Sequence, residues 1–159
     1  MIKTVPNNEA IAAVAALIGE GRRVVLPVKG NSMLPFIIGG CESVELIPPP
    51  PAQVGDVILA WVDGSHYVVH RVIAVSPQGD ITLMGDGNIR GLEHCRQQDI
   101  VGKAVYVVAP DGKKRILYND SFNWKLWNKL RPVRRWILAV YRRTVLKIII
   151  HNSSFNIHN

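Results

Sequence analysis

Asp63-Gly64 stands between two apolar runs, Val57–Val62 and His66–Val75, and it limits the open folds more than any other feature. An Asp-Gly pair supplies the positive backbone angles that a two-residue hairpin turn requires. The second run alternates. His66, Val68, His70 and Val72 point to one face, and Tyr67, Val69, Arg71 and Ile73 to the other. Further short runs flank the hairpin, each cut off by turn residues. Arg22–Val28 ends in Lys29-Gly30-Asn31, and Glu42–Ile47 stops at Pro48–Pro51. Val54-Gly55-Asp56 turns the chain into the hairpin, and residues 81–84 and 100–108 flank a Gly85–Gly91 loop. This spacing predicts a mainly β fold, a compact coiled antiparallel barrel or sandwich. A helix over residues 8–20 precedes it, capped by Asn7 or Asn8, with Ile11, Val14, Ala15 and Ile18 on one face. The four prolines read as a stiff surface loop.

Charge divides the chain where the alternation ends. Residues 1–112 carry eight Lys/Arg against eleven Asp/Glu, and residues 113–159 carry eleven against one. The expected organisation is a β-domain over 1–112 and a basic helical tail over 113–159. In the tail, Trp127, Leu130, Ile137, Val140, Tyr141, Val145 and Ile148 fall near one helical stripe, and Pro132 splits it in two. Two readings stay open for residues 122–150: docking on the β-domain, or peripheral contact with an anionic membrane through the stripe and Trp124, Trp127 and Trp136. The run Ala10–Ile18 is shorter than the about 20 residues a membrane span needs, and no basic region precedes it as in a signal peptide. Cys41 and Cys95 read as two buried thiols in a reducing compartment, so a cytoplasmic protein, in part on the inner membrane, is expected.

Val28-Lys29-Gly30-Asn31-Ser32-Met33-Leu34-Pro35-Phe36 suits neither helix nor strand. Gly30 and Asn31 are turn residues, and Pro35 cannot donate to a sheet. The segment predicts a rigid corner with the Ser32 hydroxyl at its tip, as a nucleophile requires. His70 follows in the alternating strand and Asp86 in Met-Gly-Asp-Gly-Asn. Together Gly-Asn-Ser-Met-Leu-Pro, Val-Gly-Asp-Val-Ile, Val-Val-His-Arg-Val-Ile, Met-Gly-Asp-Gly-Asn and Val-Gly-Lys-Ala-Val resemble, in order, the signal peptidase and SOS-repressor superfamily of serine proteases. The resemblance covers roughly residues 24–108 and is nearest to the branch with His in place of Lys as general base.

The resemblance implies a serine endopeptidase with a Ser32/His70 dyad, acting on an extended peptide or protein precursor. Neutral imidazole can take the serine proton, and a carboxylate on its other nitrogen would fix the tautomer. Asp86 is the first choice for that carboxylate and Glu93 the second. Asn31, Met33 and Pro35 are the expected substrate contacts. Two positions depart from the family pattern. Gly30 replaces a hydroxyl residue two before the nucleophile, so the Ser32 amide and the Asn31 side chain are expected to serve the oxyanion. Gly40-Cys41 lacks the family's acidic residue. The motif order puts His70 where a Ser-Lys dyad would have its lysine, so Lys29 and Lys103 are not expected to be the base. Residues 85–88 are too short for a calcium cage, and neither metal nor cofactor is expected. The alternative of another class is a catalytically inactive peptide-binding or regulatory module. Nucleic acid is not an expected partner, because the first 30 residues are too few for a helix-turn-helix domain.

Overall fold

The computed structural model describes residues 7–117 and 122–149. Helix α1 (Asn7–Gly19) leads into β1 (Val24–Pro27) and β2 (Ser43–Ile47), which bracket the serine corner. The hairpin β3 (Val57–Val62) and β4 (His66–Val75) follows, then β5 (Ile81–Met84), β6 (Glu93–Cys95), β7 (Ile100–Val108) and β8 (Lys114–Ile116). The tail forms α2 (Phe122–Lys129) and α3 (Arg134–Arg143). All the strands join one antiparallel sheet in the order β1-β2-β7-β3-β4-β5-β6, with β8 on β7, curled into a half-barrel. The protein is mainly β, with a helix before the sheet and helices after it.

The hairpin forms where Asp63-Gly64 predicts it, but its turn holds three residues, Asp63, Gly64 and Ser65. Asp63 and Gly64 have φ of 48° and 64°, and Val62 pairs with His66 across the turn. Strand β3 is apolar throughout because both faces of the sheet are covered. Val57 and Leu59 pack with Ile11, Val14 and Ile18 of α1. Ile58, Ala60 and Val62 pack instead with Val72, Ile81 and Leu83.

The expected domain boundary falls in the turn of the β7–β8 hairpin. Lys114, Arg115 and Ile116 pair with Val108, Val107 and Tyr106, so the β-domain runs on past residue 112 to the β7–β8 hairpin. Beyond it the tail docks. Trp127, Leu138 and Leu146 join Leu34 and Ile38 of the serine corner in a third apolar cluster. The single stripe read from the tail therefore divides. Trp127 is buried and Tyr141 half-buried, whereas Ile137, Val140, Val145 and Ile148 are exposed. Of the three tail tryptophans, Trp124 and Trp127 lie inside the protein and Trp136 is exposed. Among the described residues no helix is long and apolar enough to cross a membrane.

Candidate active site

The corner between β1 and β2 is held by its own backbone. Val28 N–H donates to Glu42 O (3.1 Å), Gly40 N–H donates to Val28 O (2.8 Å), and Met33 O accepts from the amides of Phe36 and Ile37 (3.0 Å each). Met33, Leu34 and Ile37 are buried beneath it, so Ser32 rides on a rigid support. The carboxylate missing at Cys41 arrives one residue later. Glu42 accepts from the Ile38 amide (2.8 Å) and from Arg115 (3.1 Å).

Ser32 and His70 line one cavity of about 440 Å³, together with Leu26, Val28, Lys29 and Tyr67 among others. His70 is only 4 % exposed. Its Nδ1 is hydrogen-bonded to Glu93 Oε2, which leaves Nε2 as the nitrogen available to take a proton. Glu93 begins β6 and pairs with Leu83 of β5, so the curl of the sheet carries the carboxylate behind the imidazole. His66 shares this carboxylate from outside. Its Nε2 lies 3.8 Å from Glu93 Oε1, and its Nδ1 lies 2.7 Å from the Ser65 hydroxyl. His66 is thus an outer neighbour of Glu93 and does not line the serine cavity.

Asp86, the first choice for the carboxylate, is engaged elsewhere. Arg71 Nε donates to both Asp86 oxygens (2.9 and 3.0 Å) and its second terminal nitrogen donates to Oδ2 (2.8 Å). The third guanidinium nitrogen donates to Gly55 O (2.7 Å). Strand alternation explains the exchange: neighbours on β4 face opposite ways, so residue 70 and residue 71 meet different loops. A buried guanidinium demands a carboxylate, and Asp86 satisfies it.

The Asp86 loop nevertheless reaches the corner through its backbone. Gly87 N–H donates to Ser32 O (2.7 Å). A Cβ on Gly85 would lie 2.4 Å from Ser32 O, and one on Gly87 would lie 2.6 Å from Asn31 O. Only glycine lets the two segments come so close. The tail holds the loop from the other side, where Trp127 Nε1 donates to Asp86 O (2.8 Å). Arg71 lies over the rings of Phe36 and Trp124 (5.5 and 5.4 Å). Arg134 donates to Trp127 O (3.1 Å) and lies over the Trp127 ring. Burial pushes the Arg134 pKa down, and the nearby Asp86 charge opposes that shift.

The expected substrate contacts need revision. Met33 lies in the core cluster with Ile11 and Val14, because the corner needs an apolar anchor under its tip. Asn31 is exposed and Pro35 half-buried, and neither lines the cavity. Its apolar walls are instead Leu26 and Val28 on one side and Tyr67 and Val69 on the other. Their alternation marked them as strand residues, but no spacing announced that β1 and β4 curl towards each other. Lys29 lines the cavity from the exposed end of β1. Lys103 forms an ion pair with the buried Asp56 (2.7 Å). Among the described residues no group of three or more His, Cys, Asp or Glu could hold a metal ion.

No protein-family model matches this chain, and no curated protein matches it.

Proposed function

We propose that the chain is a serine endopeptidase in which Ser32 attacks, His70 is the general base and Glu93 positions His70. The observation that carries this reading is the opening of Ser32 and His70 onto one cavity while Glu93 occupies the far imidazole nitrogen. The order of motifs that resembles signal-peptidase-like proteases agrees with it.

In this reading His70 Nε2 takes the Ser32 proton as Oγ bonds to the scissile carbonyl carbon. The imidazolium, steadied by Glu93, then protonates the leaving amine as the C–N bond breaks. Water hydrolyses the resulting ester by the same route in reverse. The Ser32 N–H, at the tip of the corner, is the donor for the oxyanion. Gly30, with φ of 78°, brings no hydroxyl to help.

The substrate is an extended precursor or leader peptide. Strand β1 is the end of the sheet order and, among the described residues, pairs on one side only, so a peptide can add along it as a further strand. Leu26 and Val28 then present apolar walls to alternate side chains. Two free thiols, at Cys41 and Cys95, suit a reducing compartment, and the reading takes its substrate from the cytoplasm.

A serine-acylating fluorophosphonate probe tests the reading. Wild type is expected to be labelled at Ser32, Ser32→Ala not at all, and His70→Ala far more slowly. A folded wild-type protein that resists the probe and cleaves none of a peptide library would instead be a peptide-binding module of this shape.

A further inference from the structure

Docking of the tail uses only part of its apolar surface. On α3, Arg134, Leu138 and Tyr141 lie on the side turned to the β-domain, and Arg134 and Leu138 are buried. A second apolar row is left outside. Val133, Trp136, Ile137 and Val140 follow at spacings of three, one and three, so they share one helical face. Trp136 is 65 % exposed and Val140 64 %. Ile148 extends the same apolar surface beyond the end of α3, also 61 % exposed.

Beside the row runs a band of cations. Arg135, Arg142 and Arg143 are exposed on α3, Lys147 follows, and Lys125 and Lys129 are exposed on α2. Residues 122–149 contain eight Lys/Arg and no Asp or Glu. The Arg135 guanidinium lies 5.0 Å from the centre of the Trp136 ring, so the boundary between row and band is a paired cation and indole. On the β-domain Asp86, Asp56, Glu45 and Glu42 are paired with Arg71, Lys103, Lys114 and Arg115.

We propose that the outer face of α3 binds an anionic lipid surface. The Val133–Trp136–Ile137–Val140 row sinks to the headgroup level while Arg135, Arg142 and Arg143 meet lipid phosphates. Charge complementarity selects this occupant. A face with no acid at all repels a second copy of itself, whereas a bilayer bearing phosphatidylglycerol or phosphatidylserine attracts it. An indole at such a boundary suits the interface between hydrocarbon and water. Phe36 and Leu34 of the serine corner pack on the opposite, docked side of the tail. Binding therefore holds the body of the protein close against the bilayer without unpacking it.

Vesicle co-sedimentation of the full chain tests this. With phosphatidylcholine vesicles containing phosphatidylglycerol the protein is expected to pellet at low salt, and with phosphatidylcholine alone to stay in solution. Raising salt to about 0.5 M should release it, since the Debye length then falls below about 5 Å. Trp136→Gln with Val140→Gln, both on exposed positions, should weaken partitioning by roughly tenfold or more without lowering Tm. Ser32→Ala should pellet as wild type, which keeps this result independent of the peptidase reading. Protein that remains in solution with the anionic vesicles overturns the proposal, as does equal pelleting with both kinds of vesicle. A lipid-free dimer in light scattering that the double variant breaks would also overturn it, by showing that a second copy covers the face.

Discussion

Arg71 and Asp86, fifteen positions apart, face each other as a fork and a carboxylate inside the protein, 2 % and 4 % exposed. Their pairing takes Asp86 away from the histidine it had been expected to support. Asp86 neutralises a buried cation that supports the serine corner from below, and Glu93 attends the histidine. Asp86→Ala should therefore act on stability. Removing one partner of a buried pair leaves the other charge without compensation, at a cost of about 3–5 kcal/mol. Urea denaturation measures this, and a loss below about 1 kcal/mol would contradict the pairing as a structural element.

Glu93→Gln should do the opposite. The amide can still touch the imidazole but cannot balance an imidazolium, so turnover on a cleaved peptide should fall by roughly 10²–10⁴. KM and the urea midpoint should hold, and Glu93→Asp should recover part of the rate. A loss of stability without a selective loss of kcat would make Glu93 a structural residue only.

Gly85→Ala tests the backbone contact between the Asp86 loop and Ser32. The new methyl would meet Ser32 O at 2.4 Å, and neither backbone can yield without moving the corner. A displacement near 1 Å costs on the order of 10² in rate. The same variant should lose probe labelling in proportion while its circular dichroism remains that of a folded β protein.

Acid should loosen the outer strands through Glu45. Hydrogen bonds from Lys114 and then Arg23 hold its carboxyl below the ordinary value of 4.5. A carboxyl lowered in the folded state stabilises the fold above its unfolded pKa, and that contribution fades as pH falls through 4.5 and below. Thermal midpoints taken between about pH 6 and about pH 3 should drop more steeply for wild type than for Glu45→Gln. Parallel curves would remove Glu45 from the account. The effect should be modest, because both partners are largely exposed.

Cys95 should be chemically silent in the native protein. Burial, followed by the charges of Asp99 and Asp63, pushes its thiol up to about 11, so little thiolate exists near neutrality. In a Cys41→Ser background, iodoacetamide at about pH 8 should modify Cys95 only after denaturant is added. Rapid alkylation of the folded protein would show that the β5–β6 end of the sheet opens readily.

What the sequence discloses here follows the length of each signal. Asp63-Gly64 and its two long flanking runs specify the central hairpin, and Ile11, Val14 and Ile18 specify how α1 sits on it. Strands β6 and β8 leave no such trace, since three residues such as Lys-Arg-Ile carry no period and gain strand form only from β7. At the candidate site, the turn that holds Ser32 and the strand that holds His70 are legible because both contexts are local. The choice between Asp86 and Glu93 was not, because it depends on how far the sheet curls after β5. Alternation along β4 did hold the clue: residue 71 faces away from residue 70, so its salt bridge and the histidine's carboxylate need different loops. Met33 misled for a similar reason. Adjacent to Ser32 in sequence, it points under the corner, where a large apolar side chain adds rigidity. The tail's stripe mixed two faces, which only the packing of Leu138 and Trp127 against Leu34 separates.

The hydrogen bond from Trp127 to Asp86 O ties the support of the serine corner to the order of synthesis. Domains generally fold from the amino terminus as they leave the ribosome, and here the serine corner emerges well before the α2 residues that brace it. A nascent chain that has the whole sheet still lacks Trp124 over Arg71 and Trp127 on the Asp86 loop. In a chain that grows in this order the corner and the Asp86 loop first form without their brace, and α2 completes the packing after the sheet.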